Sequence, residues 1–453
     1  MKQDGDYKRI LEYMGMHKLP TGFEEAFSLY EPDERNYLIP RDRYNELLAP
    51  YDLPSDKRAY LDEALDAIEK DEVALLFSKF FVWDMCSMRN KYDIDNYTEL
   101  VPSCLGKYNE AYGFLILLAC VPESDKDMER RGVPKEYYAD IPHRMIRDQL
   151  KRYVETGKID VLDMPWKLNF YTQTIFLLDR FLFIPYQHGE GFTLYRSKKT
   201  GKVVGLNDAG CLYDSEGQLL KWADDEEERE EREPAEPDSG AWYSFRPAKN
   251  PETFTTVKEE TADTITGQYM NPVGFTENRL VTIDKSEYEP VLQKDDYLIA
   301  LHIPGGEGYN PDRLYGSMKL ALDFFGKYYP ELDMKGFWSS SWLYDKKLEL
   351  IIGKNKNITN VQDTMFRYSD GEMGDMLYIH LYRDLKNKLR DYPCETSLQK
   401  GARDFLLKGG RFNTTGMMIL KEEVESRGTY FTQEDEESFH RLMKEAGMEE
   451  KDA

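Results

Sequence analysis

The spacing of apolar positions divides the chain into two regions of different period. In the first region the apolar residues recur at helical spacing. Ser55 stands as N-cap before a segment with Leu61, Ala64, Leu65 and Ile68 on one face. Val73 to Met85 is apolar almost all round, as in a buried helix, and Tyr112 to Cys120 repeats that character. Tyr137 to Val154 carries Ile141, Met145, Leu150 and Val154, with Gly157 placed as its stop. Trp166 to Leu182 is a further helical candidate. Strand signals are few before Phe183, so residues 1–185 are expected to form an all-helical domain.

Beyond that point the pattern changes to short apolar runs separated by turn residues. Phe192 to Tyr195 and Val203 to Leu206 flank Lys199-Thr200-Gly201, a hairpin signature. Cys211 to Tyr213 and Leu219 to Trp222 flank Asp214 to Gly217 in the same way. The acidic run Asp224 to Glu233, inside a loop spanning 223–240, reads as a solvated linker. Strands are expected at Trp242–Arg246, Thr264–Met270, Leu280–Ile283, Leu298–Ile303, Gly336–Trp338, Met376–Tyr382 and Gly416–Leu420. Helices are expected from Leu343 to Leu350, from Leu398 to Leu407, and in the charged tail with Phe439, Leu442 and Met443 as its apolar stripe. Residues 186–453 thus read as a mixed α/β domain.

Asp296 to Phe325 is the most informative stretch. A buried-strand pattern, Tyr297 to Ile303, runs into a turn with Gly305, Gly306 and Gly308. Asn310-Pro311 then opens a helix, with Asn310 as N-cap and Leu314, Met318, Ala321 and Phe325 on its packed face. Backbone N–H groups and the helix dipole make such a turn an anion site. The plainer reading, a turn that binds nothing, stays open on this segment alone.

Composition narrows the function classes. A chain of 453 residues with 41% hydrophobic and 13% aromatic residues is globular and large enough for more than one core. Its 84 acidic against 60 basic residues give a net charge of -24, which repels nucleic-acid backbones and anionic membranes. Five scattered cysteines without CxxC spacing suit a reducing compartment and suggest no zinc or other metal site. The N-terminus lacks signal-peptide form, and the apolar run Phe114 to Val121 is too short for a membrane span, so a cytoplasmic protein is expected. There is no GxSxG elbow and no P-loop lysine.

Several motifs point further. They are RRGVPKEYY at Arg130 to Tyr138, NPVG at Asn271 to Gly274, LHIPGG at Leu301 to Gly306, SSSWLYD at Ser339 to Asp345 and NITNVQ at Asn357 to Gln362. In this order they resemble a bacterial family of two-domain acyltransferases. That family has a helical N-acyltransferase N-terminal domain and a GNAT-like C-terminal domain with a central mixed sheet. The resemblance runs from about Tyr60 to about Leu420. It implies acyl transfer from acetyl-CoA or another acyl-CoA to an amine acceptor, with the coenzyme held at the strand–turn–helix by Ile303, Gly305, Gly306, Gly308 and Asn310. The chain departs from the GNAT pattern in three ways. The arginine or glutamine that opens the loop is missing, Pro304 removes a donor, and Glu307 adds a negative charge.

Acyl transfer to an amine needs a base, donors to the thioester carbonyl and an acid for the thiolate. His302 is the base by type, and Glu307 the second choice. Tyr344 or Tyr378 suits the acid, and Ser340 or Ser341 the donor. Trp342, Asn357, Gln362 and His380 are candidate substrate contacts, His380 sharing a strand face with Tyr378 and Tyr382. Each has a structural alternative: a strand cap for His302, N-caps for the serines, core packing for Trp342 and an aromatic layer for His380. His143 and His188 read as structural. Two functions stand side by side, an acyltransferase and a catalytically silent ligand-binding or scaffold protein. The helical domain is open to covering the cleft, selecting the acceptor or mediating a homodimer.

Overall fold

A computed structural model describes residues 6–16, 22–87, 100–159, 161, 163–223, 248, 250–306, 308–373, 380–382 and 388–448. The chain forms two compact units, Met1–Leu177 and Leu178–Ala453. The expected strand Trp242–Arg246 and residues 224–240 of the acidic loop lie outside the described residues. Among the described residues no helix is long and apolar enough to cross a membrane, and no group of His, Cys, Asp and Glu is placed to hold a metal.

The first unit is helical. Its centre is made by Glu72–Ser87 and Tyr112–Arg131, whose apolar sides are buried all round. Phe23, Phe27, Phe77, Phe80 and Phe81 pack edge-on or tilted, with centroids such as 4.7 Å for Phe23–Phe80. Each fully buried ring of this kind contributes roughly 1.5–3 kcal/mol. Helix Ser55–Lys70 buries Leu61, Ala64, Leu65 and Ile68 as expected, but Pro54 holds the cap position and Ser55 caps nothing. Gly157, at φ 78°, ends helix Ile141–Thr156. The helix expected over Trp166–Leu182 is shorter, Met164–Tyr171. Gln173 and Asp179 adopt left-handed φ of 52° and 57°, which breaks it, and Phe181–Gln187 becomes a strand.

The second unit is built on one mixed sheet. Five of its six described strands lie in the order Phe181–Gln187, Tyr297–His302, Gly336–Ser341, Asn413–Leu420, Phe366–Met373. Helix Pro311–Tyr328 connects the parallel pair Tyr297–His302 and Gly336–Ser341 and buries Leu314, Met318, Ala321 and Phe325, the expected face. The sheet's other face packs through Leu298, Phe366, Tyr368, Met418 and Leu420 against Phe192, Leu194, Val203 and Met270 of a second, antiparallel sheet. That second sheet contains the expected hairpin Phe192–Ser197/Val203–Asn207.

Two expectations in this unit are corrected. The last sheet strand is Phe366–Met373, not Met376–Tyr382: residues 374–379 lie outside the described residues and 380–382 are helical. Asp370-Gly371 lies within the strand Phe366–Met373. In the fold it sits where the ladder to Asn413–Leu420 breaks register after Ser369, with Gly371 at φ 72°. The helix expected from Leu343 to Leu350 is split into 3-10 turns Trp342–Tyr344 and Lys346–Leu348, followed by helix Glu349–Ile352. Ser341 and Asp345 each cap a turn, accepting the amides of Leu343 (3.2 Å) and Lys347 (2.9 Å), and this divides the segment. NITNVQ is itself a short helix, Asn357–Gln362.

Candidate active site

The site lies where two parallel strands separate. Tyr297–His302 pairs with Phe181–Gln187 along its whole length, from Tyr297↔Gln187 to His302↔Leu182. On its other side it pairs with Gly336–Ser341 only at Ile299↔Phe337 and Ala300↔Trp338. Gly336–Ser341 meanwhile stays paired with Asn413–Leu420 as far as Ser341↔Thr415. The parallel ladder therefore opens after Ala300, with Leu301 and His302 on one lip and Ser339, Ser340 and Ser341 on the other.

The glycine turn sits at the end of this opening. Gly306 and Gly308 have φ of 115° and 96°, which only glycine adopts without strain. A Cβ added at Gly305 or Gly306 would meet nothing within 4 Å among the described residues. Asn310 caps the helix that follows, its Oδ1 accepting the Arg313 amide at 3.0 Å. With Pro311 at the first position, two first-turn donors are already accounted for.

Positive charge reaches the turn from elsewhere in the chain. Arg180 Nη2 donates to the Pro304 and Gly306 carbonyls at 2.6 and 3.1 Å. Arg313 is held by a fork to Asp179, 3.1 and 3.0 Å. A Cβ placed on Gly308 would lie 3.3 Å from Arg313 Nη1 and 3.8 Å from Arg180 Nε. Two guanidiniums thus converge on the loop that locally lacks a cation, and sequence reading missed both. Arg180 falls in a segment read as helix, and only the strand pairing Leu182↔His302 brings it alongside.

His302 ends its strand and is largely buried. Burial alone pushes its imidazole down to about 4, so it is neutral at physiological pH. Ile303 follows directly. Glu307 and Tyr378 lie outside the described residues. Ser341 Oγ is used as the cap already described, while Ser340 Oγ donates to the Asp370 carboxylate. Tyr344 is buried, which raises its hydroxyl, and it donates to Ser339 Oγ at 2.9 Å. The Tyr309 hydroxyl faces that of Tyr344 without closing a well-formed hydrogen bond.

The remaining candidates are spread out. Trp342 packs in an apolar cluster with Leu348, Tyr382, Leu389 and Phe412. Gln362 is fully buried and braces its surroundings, donating to the Leu343 and Asp345 carbonyls at 2.8 and 3.1 Å. Its Oε1 also accepts from Arg367 at 3.3 Å. Asn357 is exposed at the start of its helix. His380 is exposed and helical, so the strand face proposed for it with Tyr382 is not present; Tyr382 instead stacks on Tyr392 at 4.5 Å.

Behind the opening lies a buried polar network. Trp338 stacks on Tyr186 at 4.2 Å and donates to Tyr368 Oη at 2.7 Å. Both tyrosine hydroxyls donate to Glu190 Oε1, at 2.8 and 3.3 Å. His188 Nδ1 donates to Glu190 Oε2 at 2.6 Å, and His188 Nε2 lies 3.1 Å from the Phe192 carbonyl. His188 is structural in this sense. Burial opposes the Glu190 charge, but His188 and the hydroxyls hold the carboxyl below its ordinary range. Gly416 makes the network possible, because a Cβ there would stand 2.1 Å from the Tyr368 ring.

With this geometry in place, comparison with known proteins is informative. A family model described as GNAT-like C-terminal domain matches residues 240–418, which contain both lips of the opening, the turn, the strand Phe366–Met373 and most of the strand Asn413–Leu420. The matched residues all lie in the second unit, which is similar there to GNAT-like C-terminal domains. Solved acyltransferases share the fold across 92% of this chain and 99% of theirs. One is a variant bound to octanoyl-CoA (TM-score 0.51, 13% identity), one is bound to decanoyl-CoA and teicoplanin (0.50, 13%) and one to decanoyl-CoA (0.50, 14%). At such identity the likeness is one of fold. No curated protein matches the chain.

Proposed function

We propose that the chain is an acyl-CoA-dependent acyltransferase whose donor enters the opening between Tyr297–His302 and Gly336–Ser341. The observation that carries this reading is the early end of the parallel ladder at Ala300↔Trp338, which frees backbone groups for a pantetheine arm. The glycine turn at Gly305, Gly306 and Gly308, with Arg180 and Arg313 beside it, fits the coenzyme phosphates. These two cations supply the charge that Pro304 and Glu307 withhold. Ile303 would border the arm, and Asn310 supports the site by capping the helix. The solved relatives hold medium-chain acyl-CoA, which makes octanoyl-CoA the donor to try first.

For the acceptor we propose an amine that approaches from the face carrying His302 and Ser340. A neutral His302 accepts a hydrogen bond from it but holds a proton poorly near pH 7. That weakness is also what favours the second reading, a ligand-binding protein without transfer. The experiment is thermal unfolding with octanoyl-CoA, followed by thiol detection of CoA release with an amine added. At ligand about a hundredfold above Kd, stabilisation of about 2.7 kcal/mol raises Tm by several degrees. Absence of any shift at about 1 mM, where a useful donor site would be filled, rejects acyl-CoA as ligand. A shift without CoA release supports the second reading.

A further inference from the structure

We propose that Ser340 and Asp370 form the proton outlet of this site, Ser340 touching the acceptor nitrogen and Asp370 drawing the proton through Ser340. The proposal rests on the acyl-transfer reading above and adds a residue pair and a substrate charge to it. Ser340 Oγ donates to an Asp370 carboxylate oxygen, which leaves the serine lone pairs available to accept from a ligand. The two residues belong to different strands separated by Asn413–Leu420. Opposite Ser340 on that strand stands buried Gly416, whose missing side chain leaves room for the Tyr368 ring beside the pair.

Register places the pair at the opening. Ala300 pairs with Trp338, so two residues further on His302 and Ser340 project to the same face, on opposite lips. Asp370 follows the last regularly paired residue, Ser369, and its carboxylate reaches Ser340 on that face, beside Tyr368, which hydrogen bonds Trp338. His302, Ser340 and Asp370 are all reached by solvent, whereas Ser339, Tyr368 and Gly416 beside them are buried. Among the described residues, the titratable groups near this spot include Tyr368 and, behind it, Glu190, Tyr186 and His188. The register break after Ser369 swings Asp370 out of the ladder and toward Ser340.

The chemistry balances. An acceptor arrives as an ammonium, attracted by the carboxylate. It gives one proton to Ser340 Oγ as Ser340 passes its own to Asp370. The freed nitrogen pair attacks the thioester carbonyl carbon and the C–N bond forms. The C–S bond breaks, and the departing thiolate takes the second nitrogen proton to leave as CoA. Asp370 then returns its proton to water. The acceptor class is therefore a cationic amine, and His302 on the facing lip accepts a second hydrogen bond that orients it.

The test uses the full chain with octanoyl-CoA as donor and methylamine, small enough for any acceptor site, as probe. CoA release is followed with pH for wild type, Ser340→Ala, Asp370→Asn and Asp370→Glu, and the octanoyl-CoA thermal shift reports folding and donor binding in each. We expect Ser340→Ala and Asp370→Asn to lower kcat/KM by about a hundredfold or more with the thermal shift retained. The acid limb of the pH profile should disappear in Asp370→Asn, and Asp370→Glu should restore part of the rate. A wild-type rate in Asp370→Asn, or octanoyl-CoA binding without methylamine-dependent release in wild type, overturns the proposal while leaving the donor site intact. Failure of wild type to bind octanoyl-CoA removes the acyl-transfer reading and this proposal with it.

Discussion

His302 shows how burial fixes what a residue can do. An unfolded histidine takes up its proton near 6.5, and folded His302 only near 4. Between these values the folded chain binds fewer protons than the unfolded chain, so stability rises with pH through the window and is lost as pH falls from 6.5 toward 4. We expect His302→Gln to remove that part of the pH dependence, so that the urea midpoints of the two proteins draw steadily further apart as pH falls from 6.5 toward 4. Equal slopes would show that the imidazole is solvated. Glu190 has the opposite sign. Its depressed carboxyl contributes stability above the ordinary glutamate value of about 4.3, and this is lost as pH falls further. Breaking its buried pair by Glu190→Gln should cost about 3 kcal/mol or more at pH 7, read from urea unfolding, and less at pH 4.

At the scale of elements, the strand Tyr297–His302, its glycine turn and the capped helix Pro311–Tyr328 are all legible in the sequence. Apolar period, three glycines and Asn-Pro act within a few residues of one another. What the sequence hides is non-local. The extent of the opening is a property of two strands, one of which starts at Gly336 after a whole helix. Arg180 lies 124 residues before the carbonyl it bonds. The apolar run Met376–Tyr382 reads as a strand, whereas the strand of the sheet is Phe366–Met373, with a register break at Asp370-Gly371. Gly416 carries a more local consequence. The Cβ of Gly416→Ala would lie 2.1 Å from the Tyr368 ring and displace it from Trp338. We expect about 1–3 kcal/mol of destabilisation in chemical denaturation, the usual cost of overpacking. An unchanged midpoint would mean that Tyr368 has room to move.

At the scale of the molecule, a net charge of -24 sets a field that draws cations and repels polyanions such as acyl-CoA. Binding a coenzyme against that field requires local positive charge, and Arg180 with Arg313 supplies it at the turn. The double substitution Arg180→Ala/Arg313→Ala should weaken octanoyl-CoA about tenfold, equivalent to about 1.4 kcal/mol, by calorimetric titration. The field itself favours the cationic acceptor argued above.

The central claim is one of place: the donor lies in the opening past Ala300. Hydrogen–deuterium exchange of the full chain with and without octanoyl-CoA tests it most directly. We expect coenzyme to slow exchange in peptides covering 301–308 and 339–341, the two lips and the turn, with little change in the well-paired strand Phe181–Gln187. Protection confined to other parts of the chain, with the lips exchanging as before, would contradict the account.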